Sequence, residues 1–362
     1  MKYAVIMAGG TGKRLWPLSR QKRPKQVLRL LDGHTLLERC FARLTQVFDI
    51  RNIIVLTNAA YVEVVRENLP SLPSGNLIAE PAVRDTAAAI GLAASVLAKT
   101  DPEAAMAVVT ADQFIEPAEI LQGALRDALA FVEANPDALV TFGIYPTFPS
   151  TQLGYIKCGN PHAFDRCENP IHSVEAFKEK PDLATAQGYL ADGRYFWNSG
   201  MFVWKARTIL RNLADFVPQM TGPLRRIAGA WDTADQQKVL AEEFPQLPKI
   251  SIDYAVMERA TNVHAIRLDC RWLDMGSFAA LADIIESDDR GNVVVAGASE
   301  LLDCKDCIIV TEEKGHLIAA IGLDNLVVAH TPDATLVCRA DQTERLKELL
   351  AAIESHHRGK FL

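Results

Sequence analysis

The sequence predicts an α/β protein: a large domain on a mostly parallel central sheet, followed by a smaller β domain. Three observations carry this. From the N-terminus to about residue 144, strand-like apolar runs alternate with helical patterns at the spacing of right-handed βαβ crossovers. After Asp289-Arg290-Gly291-Asn292 the long helices give way to short β-type runs separated by turn residues. The chain has 362 residues, 49% of them hydrophobic, and a mean hydropathy of +0.05, enough for two or three domains with a large core. The boundary is expected at 288/289, giving domains 1–288 and 289–362.

In order, strands are expected at 3–7, 52–57, 76–80, 105–110 and 138–144, with helices at 60–68, an alanine-rich 86–99, and 117–134 between them. Residues 154–203 are more irregular, with β-rich pieces at 171–179 and 196–203, and read as an insertion forming one side of a cleft. Helical patterns follow at 206–216, 218–229, 232–244 and 252–260, then a strand at 263–268. The β domain contributes runs at 293–296, 307–310, 317–321, 326–330 and 335–338, closed by a helix over 342–355. Ligands of parallel sheets bind at the carboxyl ends of the strands, where the Gly9 loop, Glu80-Pro81 and Asp112 all fall.

Composition excludes several classes. A formal charge of −7 argues against a non-specific nucleic-acid binder, whose footprint is basic. No apolar run reaches the length of a membrane span, and the short run at 3–8 leads at once into glycines, so neither a membrane anchor nor a signal peptide is expected. Seven scattered cysteines, an odd number, suit reduced thiols and a cytoplasmic setting. Cys304-Lys305-Asp306-Cys307 lacks a second pair, so two partly buried core thiols are expected there.

The most informative stretch is Ala8-Gly9-Gly10-Thr11-Gly12-Lys13-Arg14-Leu15-Trp16-Pro17-Leu18-Ser19, followed by Arg23-Pro24-Lys25-Gln26. Its three glycines allow successive N–H groups to face one phosphate, with Arg14 and Lys25 adding charge at two separated points. It is not a P-loop, because Met7 replaces the first glycine and Arg14 the final Ser or Thr. The dinucleotide fingerprint also fails, because Leu15 stands where the third glycine should be. The bare alternative is a tight strand-to-helix turn.

The longer pattern G-G-x-G-x-R-L-x-P-L-[ST] with a following P-K resembles the signature of sugar-phosphate nucleotidylyltransferases. The form R-L-W-P-L-S-R with P-K-Q is most similar to the mannose-1-phosphate guanylyltransferases, which make GDP-mannose from GTP and mannose 1-phosphate. The resemblance implies a Rossmann-like nucleotidyltransferase domain and a left-handed β-helix-like second domain used in subunit pairing, hence a homodimer. It covers residues 1–287 with specific motifs and the remainder more loosely.

What it implies about residues can be stated one by one. Ala8, Gly9, Gly10, Thr11, Gly12 and Lys13 would cradle the triphosphate, Arg14 would grip it, and Lys25 would stabilise charge building on the α-phosphate. Lys13 and Arg23 are expected to face solvent or the terminal phosphates. Glu80-Pro81-Ala82-Val83-Arg84-Asp85-Thr86 resembles the segment that reads guanine, because a glutamate can accept from N1–H and N2–H, a donor pair adenine lacks. Asp85 and Thr86 read equally well as the cap of the following helix. Asp112, ending an apolar strand, and Asp274, in Trp272-Leu273-Asp274-Met275-Gly276, would hold Mg²⁺. Sequence spacing cannot pair these two aspartates, and Asp112 alone could cap a turn. Gly154, Tyr155, Glu179, Lys180 and Asn198 lie in three further motifs of the sugar side: Glu179 and Asn198 for hydroxyls, Lys180 for the sugar phosphate, Gly154 for close approach.

The departures are Gln113 after Asp112 where His is commoner, Lys13 in the loop, and Asp85 where Asn is usual. The expected reaction is direct displacement at the α-phosphorus, in which the sugar phosphate is already ionised and no general base is required. The alternatives are the same chemistry on a manno-heptose or glucose 1-phosphate or with another NTP, or an idle sugar-nucleotide-binding regulator. A further isomerase domain is not expected, since the sequence ends at Leu362.

Overall fold

The computed structural model describes residues 1–10, 12–162, 164 and 166–362. The first domain carries strands β1 (Lys2–Met7), β2 (Ile53–Asn58), β3 (Leu77–Glu80), β4 (Ala105–Thr110), β5 (Gln113–Glu116), β6 (Leu139–Ile144), β7 (Tyr155–His162), β8 (Ile171–Lys178), β9 (Tyr195–Lys205), β10 (Val263–Leu268) and β11 (Arg271–Asp274). Its helices are α1 (Leu36–Leu44), α2 (Val62–Asn68), α3 (Asp85–Thr100), α4 (Ala118–Ala134), α5 (Leu183–Asp192), α6 (Ala206–Phe216), α7 (Thr221–Ala230), α8 (Gln236–Glu243) and α9 (Phe278–Ala282). Nine strands form one sheet in the order β3-β2-β1-β4-β9-β6-β10-β8-β7. The pairings make β1, β2, β3, β4, β6, β7 and β10 run one way and only β8 and β9 the other, so the sheet is mostly parallel in direction.

Alternating side chains feed two cores. Tyr3, Val5, Ile54, Leu56, Met106 and Val108 pack on one face with α3, α6 and α7, while Ala4, Ile6, Val55, Ala107 and Val109 pack on the other with α1 and α4. A strand buried on both faces reads as a continuous apolar run, which is what 3–6, 53–56 and 105–109 are.

Three expectations change. Residues 154–203 are not a separate insertion: β9 is antiparallel to both β4 and β6 and fills the middle of the sheet, with β7 and β8 extending its edge. The helix expected over 252–260 is a π-helical turn, Asp253–Met257, and the one over 218–229 begins as a tighter turn, Pro218–Met220, set by proline in the first turn. Helix α1, not anticipated, is opened by a capping box in which Thr35 and Glu38 bond reciprocally.

The second domain holds β12 (Val293–Val295), β13 (Ala298–Leu302), β14 (Ile308–Thr311), β15 (Leu317–Ile321), β16 (Leu326–Thr331), β17 (Ala334–Arg339) and α10 (Leu346–His357). Strands β12, β14 and β16 stack in parallel, as do β13 and β15 on another side. Ala298 over Leu317, Ile308 over Val327 and Lys305 over Asp324 are all 19-residue steps, a coil repeat the sequence does not display as similarity. Asp303, Asp306 and Asn325 turn its corners at φ +54°, +50° and +53°. Cys304 and Cys307 are buried inside this coil, and every cysteine is unpaired. Among the described residues no helix is long and apolar enough to cross a membrane.

Candidate active site

The chain leaves β1 through Ala8, whose N–H donates to Leu56 O (2.8 Å) and whose carbonyl accepts from Gln26 Nε2 (2.6 Å) and Thr57 Oγ1 (2.9 Å). The root of the glycine loop is therefore fixed to β2 and to the lysine-bearing segment. Gly12 sits at φ +67°, and a Cβ there would lie 2.5 Å from Lys25 Cβ, so both conformation and space demand glycine. Its carbonyl accepts from Ser19 Oγ at 2.6 Å. Gly9 and Gly10 line a cavity. Thr11 lies outside the described residues.

Lys25 is the centre of the site. Its Nζ lies 2.7 Å from Asp112 Oδ2 and 3.2 Å from Asp274 Oδ1. The two aspartates meet because β5 and β11 pair antiparallel, placing Asp274 opposite Gln113, and Met275 N–H donates to Asp112 O at 3.2 Å. Burial works to lower the Lys25 pKa, but the two carboxylates outweigh it and hold the ammonium above its ordinary value. Burial likewise pushes Asp112 up, and Lys25 overrides it, leaving the carboxyl below its usual range. The site thus holds two carboxylates sharing one ammonium. Among the described residues no group of three or more His, Cys, Asp or Glu is arranged to hold a metal ion, so a cation here would rest on the two aspartates and complete its shell from water and substrate. That suits a hard cation, not a closed zinc site.

Arg14 reaches the same end of β11: a Cβ on Gly276 would lie 2.7 Å from its Nη2 and 3.6 Å from Asp274 Oδ2. Its other neighbour is Glu344 of the second domain, at 3.8 Å. Lys13 is exposed, as expected. Arg23, whose side chain stays 42% exposed, pairs with Glu312, because residues 15–31 run along the second domain.

A cavity of about 320 Å³ opens beside the loop, lined by Gly9, Gly10, Glu80, Asp85, Thr86 and Asp112 among others. Glu80 ends β3, and burial pushes its carboxyl up to about 7. Asp85, at φ +68°, begins α3 and accepts from Thr86 N–H (2.8 Å). Thr86 Oγ1 accepts from Ile252 N–H (2.8 Å), tying α3 to the segment before the π turn. Pro81 is exposed. Asn58 and Lys249 also face this cavity. No motif pointed to them, since neither has distinctive neighbours in sequence.

On the other side, Gly154 has no room for a Cβ because the Glu179 carboxylate occupies that space. Glu179 Oε1 lies 3.1 Å from Lys180 Nζ, and its N–H donates to Glu258 (2.9 Å). The Asn198 amide is held at both ends: Nδ2 donates to Asp253 Oδ1 (3.0 Å), and Oδ1 accepts from Thr141 Oγ1 (3.0 Å) and Gly200 N–H (3.2 Å). Asp253 is pushed up to about 7 by burial and by the Glu179 charge. Asp253, Glu258 and Thr141 were not legible, and only the π turn's placement of Asp253 against Asn198 reveals that group. Tyr155 is fully buried and its hydroxyl donates to Ser150 O (3.1 Å), so it braces β7 and offers no free group. Gln113 ties the halves together, donating from Nε2 to Ser199 O at 2.5 Å.

A family model described as nucleotidyl transferase matches residues 3–291, and one described as MannoseP isomerase/GMP-like beta-helix domain matches residues 297–353. The chain is 37% identical to a mannose-1-phosphate guanylyltransferase of Klebsiella pneumoniae over 364 aligned residues, covering 100% of this chain and 76% of that protein. It is 38% identical to a xanthan biosynthesis protein of Xanthomonas campestris, covering 98% and 74%. Among solved structures it is similar to one described as a mannose-1-phosphate geranyltransferase from Thermus thermophilus, with 32% identity, TM-score 0.85 and coverage of 98% and 99%. On both the family model and these full-length likenesses, the chain belongs to the nucleotidyl transferase family.

Proposed function

We propose that this protein transfers GMP from GTP to α-D-mannose 1-phosphate, giving GDP-mannose and pyrophosphate, with Mg²⁺. The observation that carries the reading is the Lys25 ammonium between Asp112 and Asp274 at the foot of the glycine loop. Relatives named as mannose-1-phosphate guanylyltransferases support the choice of sugar and base. Glu80, ending β3 in the adjoining cavity, supports guanine.

In this reading an oxygen of the sugar 1-phosphate attacks the α-phosphorus of GTP, a new P–O bond forms, and the bond to the bridging oxygen of pyrophosphate breaks. Two anions must meet, so alignment and charge neutralisation dominate. Asp112 and Asp274 would hold Mg²⁺, which supplies charge neutralisation to the phosphates when bound. Lys25 then has a role at the α-phosphate, since its ammonium is the counter-ion of both carboxylates in the substrate-free site. The loop N–H groups and Arg14 hold the triphosphate, Glu80 accepts from the guanine edge, and Lys180 holds the sugar phosphate. Glu179 orients the sugar, with Asn198 fixed beneath by Asp253 and Thr141. The unpaired cysteines support a cytoplasmic setting. A homodimer is supported by the exposed apolar residues Leu302, Leu317 and Ile321 on the second domain.

The test is pyrophosphate release from a panel of four NTPs against mannose, glucose and manno-heptose 1-phosphates with Mg²⁺. GTP with mannose 1-phosphate is expected to give the highest kcat/KM. Failure to release pyrophosphate with any of these sugar 1-phosphates would refute the reading and favour a binding-only relative.

A further inference from the structure

A second cavity, of about 300 Å³, lies outside the site described above and is lined by Arg39, Arg43, Gln113, Phe114, Glu116 and Gln122. Arg39 and Arg43 stand one turn apart on α1 and so share a face. Their charges are compensated very differently. Arg39 pairs with Asp32 (2.7 Å) and Glu116 (3.6 Å). Arg43 is 8% exposed, and among the described residues its guanidinium has neither an ion pair nor a hydrogen bond; Gln122 Nε2 donates to its backbone carbonyl.

The neighbouring thiols do not supply the missing charge, and Glu116, which lines the same cavity, is paired with Arg39. Burial pushes the Cys40 and Cys270 thiols, which flank Arg43, up to about 11, so both are neutral at pH 7. Arg43 itself is held below its ordinary value, first by burial and last by the like charge of Arg39. A third cation, Arg271, lies over the Phe114 ring at 5.7 Å, with Arg39 on the same ring at 5.8 Å. A buried charge normally comes with a counter-charge, and a guanidinium facing a cavity is the group best shaped for bidentate contact with phosphate oxygens.

We propose that this cavity is a second anion site, taking a small phosphate-bearing molecule on the Arg43 guanidinium, with Arg39 at its rim. It is distinct from the glycine-loop cavity, yet Gln113 directly follows Asp112 and stands opposite Asp274. The site therefore backs onto the two carboxylates.

Inorganic phosphate is the probe, titrated against chloride at matched ionic strength, with thermal unfolding as readout for wild type, Lys25→Ala and Arg43→Met. Phosphate at tens of millimolar is expected to raise Tm by about 3 °C in wild type and Lys25→Ala, and not in Arg43→Met. Arg43→Met is expected to be at least as stable as wild type without phosphate, because an unpaired buried charge is replaced by an apolar chain of similar length. No response in wild type, a response kept in Arg43→Met, or a response lost in Lys25→Ala would each overturn the proposal, the last by placing phosphate in the catalytic cleft. Should Arg43→Met not fold, wild-type crystals soaked in tungstate decide: density on the Arg43 guanidinium supports the site, and density confined to the glycine loop refutes it.

Discussion

Replacing Lys25 by methionine isolates its charge, because the side-chain stem that packs on Gly12 is kept while the ammonium between Asp112 and Asp274 is removed. Two consequences can be worked out. In the proposed reaction Lys25 would oppose negative charge on the α-phosphate, and unit charges about 4 Å apart at an effective dielectric constant of about 20 interact by about 4 kcal/mol. Losing that term in the transition state lowers kcat by about 10³-fold. In the free enzyme the two carboxylates lose their shared counter-ion, so affinity for a divalent cation without nucleotide is expected to rise. The assays are steady-state pyrophosphate release and Mn²⁺ binding by electron paramagnetic resonance, with circular dichroism to confirm the fold. A fall in kcat of less than about tenfold, roughly 1.4 kcal/mol, would refute the role given to Lys25. Unchanged or weaker Mn²⁺ binding would refute the view that its ammonium competes for these carboxylates.

Three other perturbations address different parts of the site. Glu80 must be ionised to accept from guanine, and burial puts its carboxyl at about 7, so kcat/KM for GTP is expected to rise with pH through about 7 and then level off. Glu80→Gln should lose that step and about 10–100-fold of the preference for GTP over ATP; an unchanged profile would show that the step belongs elsewhere. Gly12→Ala forces a Cβ into a left-handed residue and onto Lys25, costing about 1–2 kcal/mol or more in urea unfolding along with a lower kcat. Stability within about 0.5 kcal/mol of wild type would contradict it. Ile321→Asp, on the exposed pair Leu302 and Ile321, should convert a dimer to a monomer in light scattering, and an unaltered mass would move the pairing surface elsewhere.

The βαβ half of the molecule was legible because its strands are continuous apolar runs between periodic helices. The β character of 196–203 was legible too, but the place of β9 was not, because nothing local in its 11 residues tells that it will sit between β4 and β6. Helix α1 left a readable trace, Thr35-Leu36-Leu37-Glu38, the spacing of a capping box. The Asp112–Asp274 pair depends on two four-residue strands brought together across the chain, a non-local contact that spacing cannot supply. Asp253 was invisible for another reason: Ser-Ile-Asp-Tyr is commonplace, and only its burial against Asn198 and near Glu179 makes it notable.

The opening signature divides by chemistry. Its glycines, Arg14 and Lys25 face the reacting end of the sheet, but Leu15, Trp16, Leu18, Leu28, Leu30 and Leu31 share one core with Ile308, Val310, Val327, Leu336 and Leu346 of the second domain. Polar contacts repeat the pattern: Trp16 Nε1 donates to Phe361 O (2.7 Å), Arg20 to Thr331 (3.0 Å) and Asp333 (2.6 Å), and Arg23 pairs with Glu312. A glycine-rich loop loses more conformational freedom than any other segment when it must hold a phosphate. Anchoring residues 15–23 to the β domain removes much of that freedom before substrate arrives, which is preorganisation of the loop and of Lys25. In the proposed function the apolar letters between the charged ones are thus as much a part of the phosphate site as the glycines, acting through position instead of contact.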